Sequence, residues 1–506
     1  MVSRRVVLYA AIIFIVAFAS RSIIFLRAGF PTGDAGQFAT FVSEFESNGG
    51  WVPATNTLYY PGSTYIYPPL IFLCLSFINL TLGHFIHLPA YMPIYELFYL
   101  AIAVSSIQTL FLALYFRKFQ NRVEFLLTAG LLILFDASLY EMSWGGYPDI
   151  IATFFMIVML YFVDQRGKNK RWLPYASIFF ILIAYTHDLT YFYSLLVVAG
   201  IILFDLIKRN FRSAITVLIL LLVGGAAGAV WWIPRIHFVF GAATVTLSAG
   251  TGLISEVGNA AVLFQAVPFM IPILFLAFVE LFASIRAGYF EPLDSYSVAL
   301  IASASGLFFL LYDPTLTGRM MLFSYTMLMI IVLKNLGIIR KSGIYHKFRI
   351  TRGKRLLVIT IIFLIIMAPV QIILASNTVS YYSTGDFQYS PSLIQFGQTH
   401  FNNGTVLAPN IGTFISSQDN ARVIVYTGFV VGPLQIEERN AGLSIILAST
   451  SNSSLYNITK YDISYIIVQS WLLNTTVNGH IVAFPAPYYQ LAGIFDSYYV
   501  YKVMQG

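Results

Sequence analysis

Up to residue 375 the hydrophobic positions fall in long unbroken runs, neither alternating in period two nor confined to one helical face. About twenty apolar residues cross a bilayer core, so these runs predict about eleven spans, at 6–25, 94–116, 124–140, 148–163, 173–187, 190–207, 213–233, 262–285, 296–312, 320–335 and 356–375. Beyond them the pattern changes. Residues 376–506 are rich in Ser, Thr, Asn and Tyr, with short strand-like runs at 421–426 and 463–468 and a helix-like stretch at 437–447. Such runs are too short to span, and they predict a compact α/β domain. The expected fold class is an α-helical polytopic membrane protein, 1–375, followed by an extracytoplasmic α/β domain, 376–506.

Composition agrees: 58 % of residues are hydrophobic and 10 % charged, against about 25 % charged in an ordinary soluble domain. The net charge of +7 does not point to nucleic acid, because the basic residues sit in short loops between apolar runs, where they set orientation. If 68–83 were a full span, the cluster Arg117-Lys118-Arg122 would fall outside and every later basic loop would be inverted. If 28–93 is instead an outer loop, with 69–87 lying along or dipping into the membrane, every basic cluster lands inside, including the run 334–355. The positive-inside rule selects this second arrangement, with the N-terminus inside and the tail outside. Segment 6–25 lacks a small-residue cleavage site and carries Arg21 and Arg27 at its far end, so it is expected to be a retained anchor. Four Asn-x-Ser/Thr triplets, at Asn403, Asn452, Asn457 and Asn474, agree with an external tail, although a stretch this rich in Asn and Thr also produces them by chance. With Cys74 as the single cysteine, the tail must stand without an internal disulfide.

Orientation sorts the remaining polar residues by side. The first outer loop carries Pro31-Thr32-Gly33-Asp34-Ala35-Gly36, followed by Glu44 and Glu46. Further acids, histidines and isolated arginines reach the same face: Glu141, Asp149, His187, Asp188, Arg235, His237, Glu256, Asp313 and Arg319. An ionisable residue at a span end is a functional hypothesis, and Asp34, an acid between flexible glycines, leads as the catalytic candidate. Asp149, His187, Asp188 and Glu44 form a second set for an acceptor or a metal, although some are expected to be interfacial caps, and Glu44 and Glu46 also read as a solvated helix face. Arg235 and Arg319 serve no orientation rule and suit a phosphate, whose oxygens a guanidinium grips in a fork; an ion pair of Arg319 with Asp313 is the alternative. The loop aromatics read as an interfacial belt.

An acid and isolated arginines at the outer boundary match sugar transfer from a polyprenyl-phosphate donor. A carboxylate takes the acceptor's proton while cations stabilise the departing lipid phosphate. The layout of N-inside anchor, outer loop with Gly33-Asp34, the segment Tyr67-Pro68-Pro69-Leu70, acidic outer loops and external tail resembles the GT-C glycosyltransferases. That superfamily includes protein O-mannosyltransferases, lipid A aminoarabinose transferases and oligosaccharyltransferase catalytic subunits. The tail segments 461–468 and 495–503 are similar to the small external domain closing archaeal-type members. The resemblance implies a membrane enzyme that takes a polyprenyl (dolichyl) phosphate sugar as donor and a glycan, lipid or protein as acceptor, with Asp34 as the first-loop acid and an inverting transfer. The tail has no Trp-Trp-Asp motif and the second outer loop no Asp-x-Asp, which argues against sequon transfer and tight metal binding. A hard cation, Mg²⁺ or Mn²⁺, still needs only a few carboxylate oxygens with water and phosphate. The rival class is a transporter or flippase of lipid-linked sugars, which predicts homologous halves and mid-membrane charges; the sequence shows no internal repeat, and its charges lie at span ends. An anchor for an external binding domain would not need so many spans.

Overall fold

The computed structural model describes residues 4–27, 34–86, 89, 91–116, 138, 141–142, 145–235, 323, 326, 373, 389–401, 404–427, 433–477 and 480–504. Their helices are α1 Arg4–Arg27, α2 Ala35–Ser47, α3 Leu70–Gly83, α4 Met92–Phe116, α5 Tyr147–Asp164, α6 Trp172–Ala184, α7 Asp188–Ile207, α8 Phe211–Trp232, α9 Pro391–His400, α10 Gly412–Asp419, α11 Pro433–Leu447 and α12 Asn452–Lys460. The strands are β1 Thr405–Ala408, β2 Arg422–Val425, β3 Ile463–Gln469, β4 Thr476–Val477, β5 His480–Ile481, β6 Tyr489–Phe495 and β7 Tyr498–Val503. Two compact units divide the chain: Met1–Gly29, Leu100–Trp231 and Gly250–Val379 form the first, Phe30–Tyr99, Trp232–Ala249 and Ser380–Gly506 the second.

Among the described residues four helices are long and apolar enough to cross a membrane: Met92–Leu114, Tyr147–Asp164, Asp188–Ile207 and Phe211–Arg235. They coincide with the spans expected at 94–116, 148–163, 190–207 and 213–233. The apolar parts of α1, Val7–Ser22, and of α6 are shorter. The 14 residues of α3 extend only about 21 Å, consistent with a segment that does not cross a core of about 30 Å by itself. The spans expected at 124–140, 262–285, 296–312, 320–335 and 356–375 fall almost wholly outside the described residues.

In the first unit, polar side chains join neighbouring helices. Arg21, fully buried on α1, donates from Nη1 to Ala17 O and from Nη2 to Thr109 Oγ1 on α4, both at 3.1 Å. Arg166 after α5 meets Asp205 Oδ1 on α7 at 3.2 Å, and Ser213 Oγ on α8 donates to Asp205 Oδ2 at 2.6 Å. Gly224 lets α8 lie against the Phe180 ring of α6, where an added Cβ would stand 2.3 Å from a ring carbon. Close helix approach through small residues is the usual packing device within membranes.

The second unit contains a five-stranded sheet ordered β2-β1-β3-β7-β6, with β1 parallel to both β2 and β3, and β7 antiparallel to β3 and β6. In register, Leu407 faces Ile424 and Ile466, and Ile466 faces Tyr501. The parallel strands are largely buried, Thr405–Ala408 throughout and Arg422 alone exposed among β1, β2 and β3, as expected of parallel strands covered on both faces. Edge strand β6 is mostly exposed. Ser390 and Ser451 cap α9 and α12 through Leu393 N and Ser454 N, and Asn420, left-handed at φ 51°, ends α10.

The same unit takes in the segment between α1 and α4, within Phe30–Tyr99. Along α2 the small or hydroxylated residues Gly36, Thr40, Ser43 and Ser47 recur at intervals of three and four, forming one stripe. Thr40 Oγ1 bonds Thr413 O at 3.0 Å and Ser416 Oγ at 2.7 Å, and Ser43 Oγ donates to Ser417 O at 3.3 Å, so the stripe seats on α10. A Cβ on Gly36 would stand 2.4 Å from Thr413 Oγ1. The backbone approach that Gly36 permits is therefore to the tail helix. Behind this seam, Phe38, Phe41, Phe45, Tyr65, Tyr67 and Phe72 interlock, for example Phe41 with Tyr65 at 5.3 Å and with Phe72 at 5.4 Å between ring centroids. These loop aromatics form a core, which corrects their reading as an interfacial belt.

Candidate active site

Glu44 organises the loop that runs past Asp34. It is 1 % exposed, and its Oε1 accepts three successive backbone N–H groups, Thr57 at 3.1 Å, Leu58 at 2.9 Å and Tyr59 at 3.1 Å. Consecutive amides turned to one point make an anion-binding nest, here filled by the chain's own carboxylate. Burial pushes the Glu44 carboxyl up to about 7 against the opposing pull of those amides. The expected solvated helix face is thus wrong for Glu44, because the nest draws the side chain inward. Beyond the nest, Val423 N donates to Leu58 O at 2.7 Å and Tyr60 N to Val423 O at 2.9 Å, pairing Tyr59 in parallel with edge strand β2. The Tyr60 hydroxyl donates to Val425 O, and Gln435 Nε2 on α11 reaches Ser63 Oγ at 3.2 Å. The loop thereby covers the exposed edge that β2 would otherwise present.

Asp34 stands at the head of α2, half-buried. Its carbonyl receives Phe38 N at 3.0 Å, while its side chain makes no capping bond to the helix. An aspartate at an N-cap usually spends its carboxylate on the first turn; this one is directed elsewhere. It acts on Tyr59, whose fully buried hydroxyl is held well above its ordinary range by desolvation first and by the Asp34 charge second, with Tyr60 and Arg439 opposing. Tyr60 is raised by burial first and by the neighbouring Tyr59 second, with Arg439 opposing. An acid, two neutral phenols and a guanidinium therefore share one electrostatic neighbourhood. Arg439 on α11 went unnoticed in the sequence, although the criterion that singled out Arg235 and Arg319, an isolated cation on the outer side, applies to it equally. Arg235, just past α8, donates from Nε to Tyr65 O at 3.2 Å, so it is anchored to the first loop. Arg319 lies outside the described residues.

In the first unit Asp149, His187 and Asp188 come together at the heads of α5 and α7. Gly145, at φ +93°, with Pro148 in the first helical turn, starts α5 so that Asp149 falls in that turn, 1 % exposed. Asp149 Oδ1 lies 2.7 Å from His187 Nδ1 and accepts from Thr190 Oγ1 at 3.0 Å. A separation of 2.7 Å requires a proton between nitrogen and oxygen, so Nδ1–H donates to Asp149. That leaves Nδ1 without a lone pair for Thr190 N–H, 3.4 Å away. His187 Nε2 faces Asp188 Oδ1 at 3.5 Å, and the Asp188 side chain is 41 % exposed. The arrangement is an imidazole between a buried and an outward-facing carboxylate, able to hold or pass a proton. Asp149 Oδ2 is buried with no hydrogen-bond partner among the described residues. Thr190 is the member of this group that spacing did not suggest.

No protein-family model matches the chain, and no curated protein sequence does either. Solved structures do. The oligosaccharyltransferase AglB of Archaeoglobus fulgidus, in complex with an inhibitory peptide and a dolichol-phosphate, superposes with a TM-score of 0.59 at 12 % identity over 92 % of this chain and 70 % of its own. ArnT from Cupriavidus metallidurans, bound to undecaprenyl phosphate, gives 0.56 at 14 % identity over 99 % of this chain and 98 % of its own. Both are GT-C superfamily glycosyltransferases. The chain has the GT-C fold. A third GT-C structure, the Archaeoglobus enzyme with Zn and sulfate, matches at a TM-score of 0.58 and 14 % identity over 91 % of this chain and 68 % of its own. Among the described residues of this chain no group of three or more His, Cys, Asp or Glu could hold a metal ion.

Proposed function

We propose that the chain is a membrane glycosyltransferase that moves a sugar from a polyprenyl-phosphate donor to a glycan, lipid or protein acceptor on the outer face, by an inverting transfer. The observation that carries this reading is the whole-chain likeness to two GT-C enzymes whose structures hold dolichol-phosphate and undecaprenyl phosphate. Supporting it, the four apolar helices provide a membrane body. Asp34 lies at a helix head with its carboxylate uncommitted to capping. In this reading Asp34 takes the acceptor's proton as the sugar migrates. Arg235 and Arg319 bind the lipid phosphate, with Arg439 adding positive charge near the reacting acid. Asp149, His187 and Asp188 serve the acceptor or carry protons. Glu44 is reassigned to holding the loop.

A divalent ion, Mg²⁺ or Mn²⁺, fits this set in part. Asp149 Oδ2 is a buried oxygen with no hydrogen-bond partner among the described residues, while Oδ1 is occupied by His187 and Thr190. Such an ion, held by Asp149, would supply charge to stabilise a phosphate.

The test is incubation of the purified full-length protein with polyprenyl-phosphate sugars and membrane extract as acceptor source, followed by measurement of freed polyprenyl phosphate. Release that needs both protein and acceptor is expected. Movement of intact lipid-linked sugar across proteoliposomes without release would instead identify a flippase.

A further inference from the structure

At the end of α2 remote from Asp34, two carboxylates from different helices converge on a single amide nitrogen. Asn79 Nδ2 on α3 donates to Glu46 Oε1 at 2.8 Å and to Glu96 Oε2, near the start of α4, at 2.9 Å. Asn79 is 6 % exposed, and its Oδ1 has no hydrogen-bond partner among the described residues. A cavity of about 470 Å³ opens here, with Ser43, Glu46, Asn79, His84, Ser417 and Asn420 in its wall. Glu46 and Glu96 make no ion pair among the described residues.

Two partly buried carboxylates that share one neutral donor leave their mutual repulsion uncompensated. Burial, together with the Glu96 charge, raises the Glu46 carboxyl above its ordinary value despite the Asn79 bond. A small hard cation seated against both acids removes that repulsion. A half-turn of the Asn79 amide exchanges Nδ2 for Oδ1. The orphaned oxygen then becomes a third ligand beside the carboxylates. Ca²⁺ takes 6–8 oxygens at about 2.3–2.6 Å in irregular geometry, using carboxylates singly or in pairs, and a cavity this size holds the waters that complete its shell. Mg²⁺ demands a tighter octahedron.

We propose that Glu46, Asn79 and Glu96 form a Ca²⁺ site that ties α2 and α3 to the start of α4. Glu46 lies 12 residues beyond Asp34, about 18 Å along the helix, so the site is separate from the proposed catalytic acid and stands without that assignment.

The experiment compares thermal unfolding of the full-length protein in detergent, in Ca²⁺ and in EDTA, with ⁴⁵Ca²⁺ equilibrium dialysis alongside. Wild type should bind Ca²⁺ saturably, and its melting temperature should rise by roughly 2–5 °C near a hundredfold excess over Kd. Glu46→Gln and Glu96→Gln should lose both the binding and the rise. In EDTA both variants should melt at or above wild type, because one of two like charges has gone; that result separates a lost ligand from a failed fold. Asp34→Asn should keep the Ca²⁺ effect. The site is refuted by absence of saturable binding, by a rise that survives Glu46→Gln, or by one that disappears in Asp34→Asn. Stabilisation by putrescine and not by Ca²⁺ would also overturn it, making the cavity a site for an organic cation.

Discussion

Replacing Glu44 by alanine empties the nest that holds residues 57–59. The buried Leu58 and Tyr59 amides lose their acceptor, at about 1–3 kcal/mol each, while the half-exposed Thr57 amide can turn to water. Against this stands the charge that the fold buries. Raising the carboxyl from 4.5 to about 7 corresponds to about 3 kcal/mol of preference for the protonated form. The sign follows directly. A carboxyl raised in the folded state contributes its full stability below about 4.5 and loses that contribution as the pH climbs to about 7. Alanine has no such dependence. Glu44→Ala should therefore destabilise by roughly 2–6 kcal/mol near pH 4.5 and by about 3 kcal/mol less near pH 8, where removing a buried charge offsets the lost bonds. Hydrogen exchange should show the Leu58, Tyr59 and Tyr60 amides losing protection, since the pairing of this segment with β2 depends on the nest. Glu44→Gln keeps an acceptor oxygen, so it should flatten the pH slope and leave sugar transfer nearly intact. Unchanged protection of Leu58 and Tyr59 in Glu44→Ala would refute the reasoning. Lost turnover with protection intact in Glu44→Gln would return Glu44 to the chemistry.

Gly36→Ala should lower the melting temperature by the equivalent of about 1–3 kcal/mol, because its Cβ overpacks the α2–α10 seam, and Thr413→Ala in the same chain should restore much of the loss. Arg235→Gln and Arg319→Gln should each weaken the donor interaction about ten- to hundredfold, read as donor KM, in line with loss of a charge-assisted contact; an unchanged KM removes the residue from the phosphate site. Asp34→Asn keeps shape but not basicity, so turnover should fall about 10²–10⁴-fold with donor binding and loop protection unchanged. Single cysteines placed in 376–506 should label in sealed right-side-out vesicles and those in 334–355 should not; the reverse pattern would invert the topology.

What the sequence makes legible is what depends on local periodicity. The apolar runs at 94–116, 148–163, 190–207 and 213–233 locate their helices within a few residues, because a backbone in lipid must satisfy its own hydrogen bonds over a fixed thickness. Short β-branched runs likewise locate β2 and β3. Contacts made across long separations have no such signature. The seat of α2 on α10 joins Thr40 to Thr413 and Ser416, and nothing local distinguishes its small-residue stripe from a solvated face. Glu44 reads as a solvated position for the same reason: its partners are backbone amides at 57–59, and an N–H carries no side-chain signal. At the site, Asp149 and His187 were each visible as outer-face polar residues, but their 2.7 Å contact depends on how two helix heads meet.

These long-range contacts change what the tail is for. The stripe on α2 that holds α10 begins at Gly36, two residues after Asp34, and the loop paired with β2 brings Tyr59 into the field of Asp34. Both flanks of the candidate acid are therefore held by residues more than 350 positions away in sequence, as the separation of 373 between Thr40 and Thr413 shows. General-base catalysis demands hydrogen-bond reach and loses efficiency steeply with displacement, so an acid at a helix head works only if that helix is fixed. Here the fixing surface is the tail sheet and its helix α10. Substitutions at the seam, such as those at Gly36 or Ser416, should then depress turnover without touching substrate, and a chain truncated before residue 390 should lose activity through a displaced Asp34 even if its membrane helices insert normally.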